Sequence, residues 1–86
     1  MGRYKLFIKP SAVQEIEAIP SMRDRRRVVE RLLKLAHNPR PPGCEKLSGQ
    51  DKYRVRQGRY RIVHAIEDDN LLVSVVKVGH RKDVYA

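Results

Sequence analysis

Cysteine is nearly absent from this chain. Cys44 stands alone among 86 residues, so no internal disulfide forms, and a chain this small that needed an oxidising compartment would carry several cysteines. Long apolar runs are missing too. They extend for only a few residues, far short of the ~20 that a bilayer-crossing helix needs. Met1-Gly-Arg-Tyr-Lys leads straight into a strand pattern, with no apolar signal region. These absences make a soluble, cytoplasmic protein the expectation. The chain has no internal repeat, no low-complexity segment, no glycine-rich phosphate loop and no nucleophile elbow. Metal ligands are scarce. His37, Cys44, His64 and His80 fit no zinc spacing, and no Cys-x-x-Cys or His-x-x-x-His pair occurs. Neither a metal site nor a cofactor is expected.

Acidic residues are the other shortage: ten Asp and Glu face nineteen Lys and Arg, a formal net charge of +9. That excess favours polyanionic partners: RNA, DNA, an anionic membrane or an acidic protein. Charge alone does not choose among them. A composition of 41% apolar and 34% charged residues suits a folded, very polar small protein. The length leaves room for one domain, residues 1–86.

The periodicities predict an α+β fold. Tyr4 to Ile8 alternates as a strand and stops at Pro10. Ser11 with Gln14 has the form of a capping box, and Val13, Ile16 and Ile19 recur at helical spacing up to Pro20. Ser21 and Asp24 repeat the capping signal before a longer helix that reaches about His37. Its apolar residues Val28, Val29, Leu32, Leu33, Leu35 and Ala36 form a wide stripe suited to lying on a sheet. Asn38-Pro-Arg-Pro-Pro-Gly43 is a stiff loop. Lys52 to Gln57, Arg59 to Glu67 and Leu71 to Val78 then read as strands, with Asp68-Asp69-Asn70 as a turn. Short connections imply antiparallel neighbours. The order is strand, helical hairpin, three-stranded antiparallel meander (β-α-α-β-β-β), one sheet face covered by helices and the other presented.

The stretch Lys52 to His64 carries the most information. Lys52, Arg54, Arg56, Arg59 and Arg61 are its cations. Strand alternation sends Arg54 and Arg56 to one face and Tyr53, Val55 and Gln57 to the other. Guanidinium groups spaced by a rigid sheet bind phosphate oxygens bidentately, and Arg61 follows on the neighbouring strand. His64, in a strand centre, reads as packed or hydrogen-bonded rather than catalytic. Arg23, Arg25, Arg26, Arg27 and Arg31 crowd the long helix, where a solvated face is the ordinary explanation and steering toward RNA the functional one. The last stretch, Val78-Gly79-His80-Arg81-Lys82-Asp83-Val84-Tyr85, places an imidazole, a guanidinium and a phenol within six residues of one another.

These segments resemble the RelE/ParE superfamily of bacterial and archaeal toxins, most closely its RelE branch. The matching features are the Pro10-Ser11 helix start, Lys46-Leu47-Ser48-Gly49, Tyr53-Arg54-Val55-Arg56, Tyr60-Arg61-Ile62-Val63 and the stretch from Val78 to Tyr85. The resemblance implies a microbial-ribonuclease-like fold and a ribosome-dependent endoribonuclease that cleaves messenger RNA in the A site. It also implies a RelB-type antitoxin that holds the toxin inactive in a heteromeric complex. Carried over by position, Arg61 and Arg81 match transition-state arginines, and Tyr85 a C-terminal tyrosine. Arg54 and Arg56 match strand residues that are usually lysines, and His80 falls where relatives have lysine or histidine. Lys52, Arg59 and Lys82 complete the RNA-binding set.

The implied chemistry is metal-free attack of a 2′-hydroxyl on the adjacent phosphate. It needs a proton acceptor, stabilisation of a dianionic phosphorane and a proton for the leaving oxygen. Arg61 and Arg81 suit the second task. An arginine does not give up its proton as a lysine can, so Arg54 and Arg56 are poor bases, and His80 is the candidate in their place; otherwise turnover is slow. Two other readings stay open: a ParE-like inhibitor of DNA gyrase on the same fold, and a non-catalytic RNA-binding or decayed toxin.

Overall fold

The computed structural model describes residues 3–49 and 51–80. Strand β1 (Lys5–Ile8) is followed by helices α1 (Pro10–Glu17) and α2 (Met22–His37). Four strands complete the order: β2 (Glu45–Lys46), β3 (Lys52–Gln57), β4 (Tyr60–Glu67) and β5 (Leu72–His80). One sheet holds all five in the order β1-β5-β4-β3-β2. The expected meander is β3-β4-β5, antiparallel throughout. Two features were not expected. The two-residue β2 extends the sheet beyond β3, and β1 joins the opposite side parallel to β5, Lys5 paired with Leu72 and Ile8 with Val75.

Helix α1 starts two residues earlier than the Ser11 capping box implied. Pro10 occupies its first turn, and the cap residue Lys9 makes no side-chain bond. Proline suits this position because its φ is already helical and its missing N–H would have no intrahelical acceptor. The second capping signal is realised: Ser21 Oγ accepts from Asp24 N at 3.2 Å. Arg25 is not a solvated cation. Its guanidinium donates to the carbonyls of Glu17 at 3.2 Å and Ile19 at 2.8 Å, tying the open end of α1 to α2.

The helices cover one sheet face. Ala12, Ile16 and Ile19 from the α1 region and Val28, Leu32 and Leu35 from α2 pack with Val55, Ile62, Val73, Val75 and Val78. The buried arc of α2 is narrower than its apolar pattern. Val29 is 39% and Leu33 58% exposed, because both lie past the arc that Val28, Leu32 and Leu35 define.

An irregularity in β5 sets the orientation of its end. Val63 pairs with Lys77 but His64 with Val75, leaving Val76 as an extra residue. Such a bulge reverses the alternation beyond it. Val73, Val75 and Val78 therefore all face the helices, and Gly79 comes opposite Arg61 on the other face.

Candidate active site on the open sheet face

Cross-strand register brings the arginines together. Arg54 pairs with Val63 and Arg56 with Arg61, on the face away from the helices, since their neighbours Val55 and Ile62 are core. Arg54, Arg56 and Arg61 line one cleft with Gly43, Cys44 and Glu45. Its volume is about 430 Å³, enough for a nucleotide-sized group. Arg61 is 4% exposed, held between β3 and β5 at the cleft floor, whereas Arg56 is exposed. Lys52 shares the face of Arg54 by alternation, and Arg59 sits in the turn between β3 and β4.

Glu45 is the functional group that sequence reasoning missed. It pairs in register with Arg54 and accepts a hydrogen bond from Arg54 Nη2 at 2.8 Å. That bond, with the charges of Arg54, Arg61 and Arg56, holds its carboxyl below the ordinary glutamate range. The signal was faint: an acid beside a glycine-cysteine pair, with no alternation to mark a strand. Cys44 is half-buried at the same wall, and burial pushes its thiol up.

His80 is not brought to this cleft. It pairs with Tyr60, and the two rings meet edge to face at 5.8 Å. They line a separate pocket of about 470 Å³ on the helix side, with Glu15, Ile19, Pro20, Lys77 and Val78. Glu15 organises that pocket where β1 ends. Its carboxylate accepts from the otherwise unladdered Val78 N–H at 2.8 Å and from Lys77 Nζ at 3.1 Å. Arg81, Lys82 and Tyr85 lie outside the described residues.

His64 lies wholly in the interior, fully buried. Its Nε2 lies 2.8 Å from the Pro39 carbonyl oxygen, which can only accept, so Nε2 carries the proton. Burial lowers its pKa. Among the described residues no group of three His, Cys, Asp or Glu side chains is placed to hold a metal ion. None of their helices is long and apolar enough to cross a membrane.

Fold and cleft define a small basic α+β protein whose open sheet face gathers Arg54, Arg56 and Arg61 around the Glu45 carboxylate. The comparisons give its family. The model for the ParE toxin of the type II toxin–antitoxin system parDE matches residues 6–85, and the chain belongs to that family, within the RelE/ParE superfamily. A RelE-like toxin protein of Escherichia coli is 28% identical over 87 residues, covering 96% of this chain and 90% of the relative. A chain of the RelBE2 toxin–antitoxin complex from Mycobacterium tuberculosis is 25% identical and superposes with a TM-score of 0.83, with 94% of each chain covered. A chain of the intact E. coli RelBE toxin–antitoxin complex is 26% identical at a TM-score of 0.76, covering 90% of this chain and 95% of that one. The protein is thus a toxin of the type II toxin–antitoxin class.

Proposed function

We propose that this toxin is a metal-independent endoribonuclease that cuts messenger RNA in the ribosomal A site and so inhibits translation. The observation that carries the reading is the meeting of Arg54, Arg56 and Arg61 with the Glu45 carboxylate around one cleft. A scissile phosphate in that cleft takes bidentate hydrogen bonds from guanidinium groups whose charge is permanent. Attack by the 2′-oxygen forms a new P–O bond as the P–O5′ bond breaks, and the departing 5′-oxygen takes a proton from Tyr85 or water, leaving a 2′,3′-cyclic phosphate and a 5′-hydroxyl end. Arg61 and Arg56 stabilise the charge that accumulates on the phosphorane.

Glu45 takes the proton from the 2′-hydroxyl in this scheme, the role that sequence reading gave to His80. Its lowered pKa keeps it ionised at neutral pH. A bound phosphate draws on the same guanidinium groups, which relaxes their hold on the carboxylate and strengthens it as a base. Arg81 serves the transition state, and Tyr85 stacks on a base or assists proton transfer. Lys52, Arg59 and Lys82 track the RNA backbone. His80 serves the fold of the strand end through Tyr60.

The partner in this reading is a RelB-like antitoxin that covers the arginine face or displaces the segment around Tyr85. Two of the similar solved chains come from toxin–antitoxin complexes, and a basic toxin offers an acidic amphipathic segment a large electrostatic target. The site of action is the cytoplasm, where ribosomes and messenger RNA are.

A second reading, inhibition of DNA gyrase, draws on the family model itself, which describes a ParE toxin. Expressing the toxin in growing cells and mapping messenger-RNA 5′ ends separates the two. In-frame cuts should appear, vanish in Arg61→Ala/Arg81→Ala, and fall by about a hundredfold in Glu45→Gln, the usual scale for removing a general base. Growth arrest without cuts, retained by these variants, would move the assignment to gyrase. RNA binding with neither cuts nor arrest would indicate a decayed toxin.

A further inference from the structure

Glu45 is held to the cleft by little of its own. Its strand is two residues long, and its side chain is 67% exposed. The loop just before it is fastened far more firmly. The Pro39 carbonyl accepts from His64 Nε2 at 2.8 Å. Arg40 donates from Nη1 and Nη2 to the two oxygens of Asp68, at 3.2 and 3.0 Å. The same guanidinium lies over the Tyr53 ring, 5.2 Å from its centroid, with Nε 3.3 Å from the phenol oxygen. Tyr4 donates to Asp68 at 2.7 Å, and the Tyr53 and His64 rings stack at 5.8 Å. Residues from the start of β1, from β3, from β4 and from the β4–β5 turn thus converge on Pro39 and Arg40. None of them lines the arginine cleft.

Between that fastening and Glu45 the chain is constrained on either side of Gly43, whose φ of 87° makes the bend. Pro41 and Pro42 fix two φ angles, and Cys44 N donates to the Pro41 carbonyl at 3.0 Å, closing a turn. Direction given to the chain at Arg40 is therefore carried to Cys44 and Glu45. A paired guanidinium–carboxylate contact is directional even where solvent makes it weak.

We infer that Arg40, clasped by Asp68 and Tyr53, is a positioning residue that sets the Glu45 carboxylate among Arg54, Arg56 and Arg61. Its effect on cleavage rests on the nuclease reading above, but the placement of Glu45 does not.

Titrating the Glu45 carboxyl by carbon-13 NMR in the full chain, wild type against Asp68→Asn, tests it. Asp68→Asn removes a negative charge from the molecule, which by itself would push the Glu45 pKa further down. Release of the loop lengthens the Glu45–Arg54 contact and moves the pKa up, toward the ordinary glutamate value. The two effects have opposite signs, so a rise supports the clasp, and no change or a fall overturns it. Arg40→Gln should also raise it, but loss of its positive charge acts in the same direction, so Asp68→Asn carries the decision. On programmed ribosomes both variants should lose about tenfold to a hundredfold in cleavage rate, the scale of a small misplacement, with KM unchanged. In a Glu45→Gln background they should lose nothing further. If Glu45→Gln alone leaves cleavage intact, the base assignment falls, and the titration still decides the clasp.

Discussion

His64 shows how one buried side chain couples this fold to pH. The imidazole is neutral, with its one proton committed to the Pro39 carbonyl. Its Nδ1 is buried without a hydrogen-bond partner, so a second proton would have no acceptor. Burial therefore sets the folded pKa below the unfolded value of about 6.5. Between those two values the unfolded chain binds more protons than the folded one, so stability rises with pH there. It is level above about 6.5 and declines as the pH drops through that value. Urea midpoints should fall between pH 7 and pH 5 in the wild type, and this decline should be absent in His64→Leu. That variant should also be about 1–3 kcal/mol less stable at pH 7, since it leaves a buried carbonyl unsatisfied. Glu45 and Asp68 act in a lower window. Their pKa values are depressed, mainly by Arg54 and Arg40, so the stability they add is present above the ordinary carboxylate range and lost as the pH falls below about 4.

At the scale of elements, the β5 bulge decides which side chains share the site. Deleting Val76 would remove the extra residue and leave Val75 opposite His64 and Lys77 opposite Val63, so Val78 should stay in the core and Gly79 opposite Arg61. The expected cost is about 1 kcal/mol, from lost local twist rather than from an exposed core residue, read as a small drop in thermal midpoint. Ser21→Ala should cost about 1 kcal/mol by removing the cap of α2. What sequence reading reached and missed divides along the same line. The β3–β4 hairpin, the Ser21 cap, the interior role of His64 and the shared face of Arg54 and Arg56 all follow from local spacing. The bulge does not, because Val75-Val76 is apolar on either parity. Since residue 80 lies beyond it, the ring of His80 could not be assigned to a face. Glu45 was hidden for a related reason: a two-residue strand has no period, and its placement depends on a register with Arg54 that only the assembled sheet defines. Arg25 looked like one of five surface cations, yet its acceptors are the carbonyls of Glu17 at the end of α1 and Ile19 just beyond it.

For the whole molecule, the +9 charge governs association more than fold. RNA binding should weaken steeply with salt. Replacing Arg54 or Arg56 by alanine should lower the slope of log K against log salt by about 0.7 for each single-strand phosphate that is no longer neutralised. Arg23→Ala should leave that slope unchanged if the groove it shares with Arg26, Arg27 and Glu30 stays solvated. Filter-binding titrations across a salt series would measure both.

The parallel pairing of β1 with β5 also bears on how the protein is made. Lys5 finds Leu72, and Ile8 finds Val75, so the first strand synthesised waits for the last. Until β5 has left the ribosome, β4 lacks its central partner, Arg61 has no floor to lie on, and the helices have only part of a sheet to cover. Pairings this distant in sequence also form slowly, because loop closure comes before any gain from pairing. The arginine cleft is therefore complete only once β5 has joined the sheet, and an antitoxin already present in the cell has that interval in which to meet the chain.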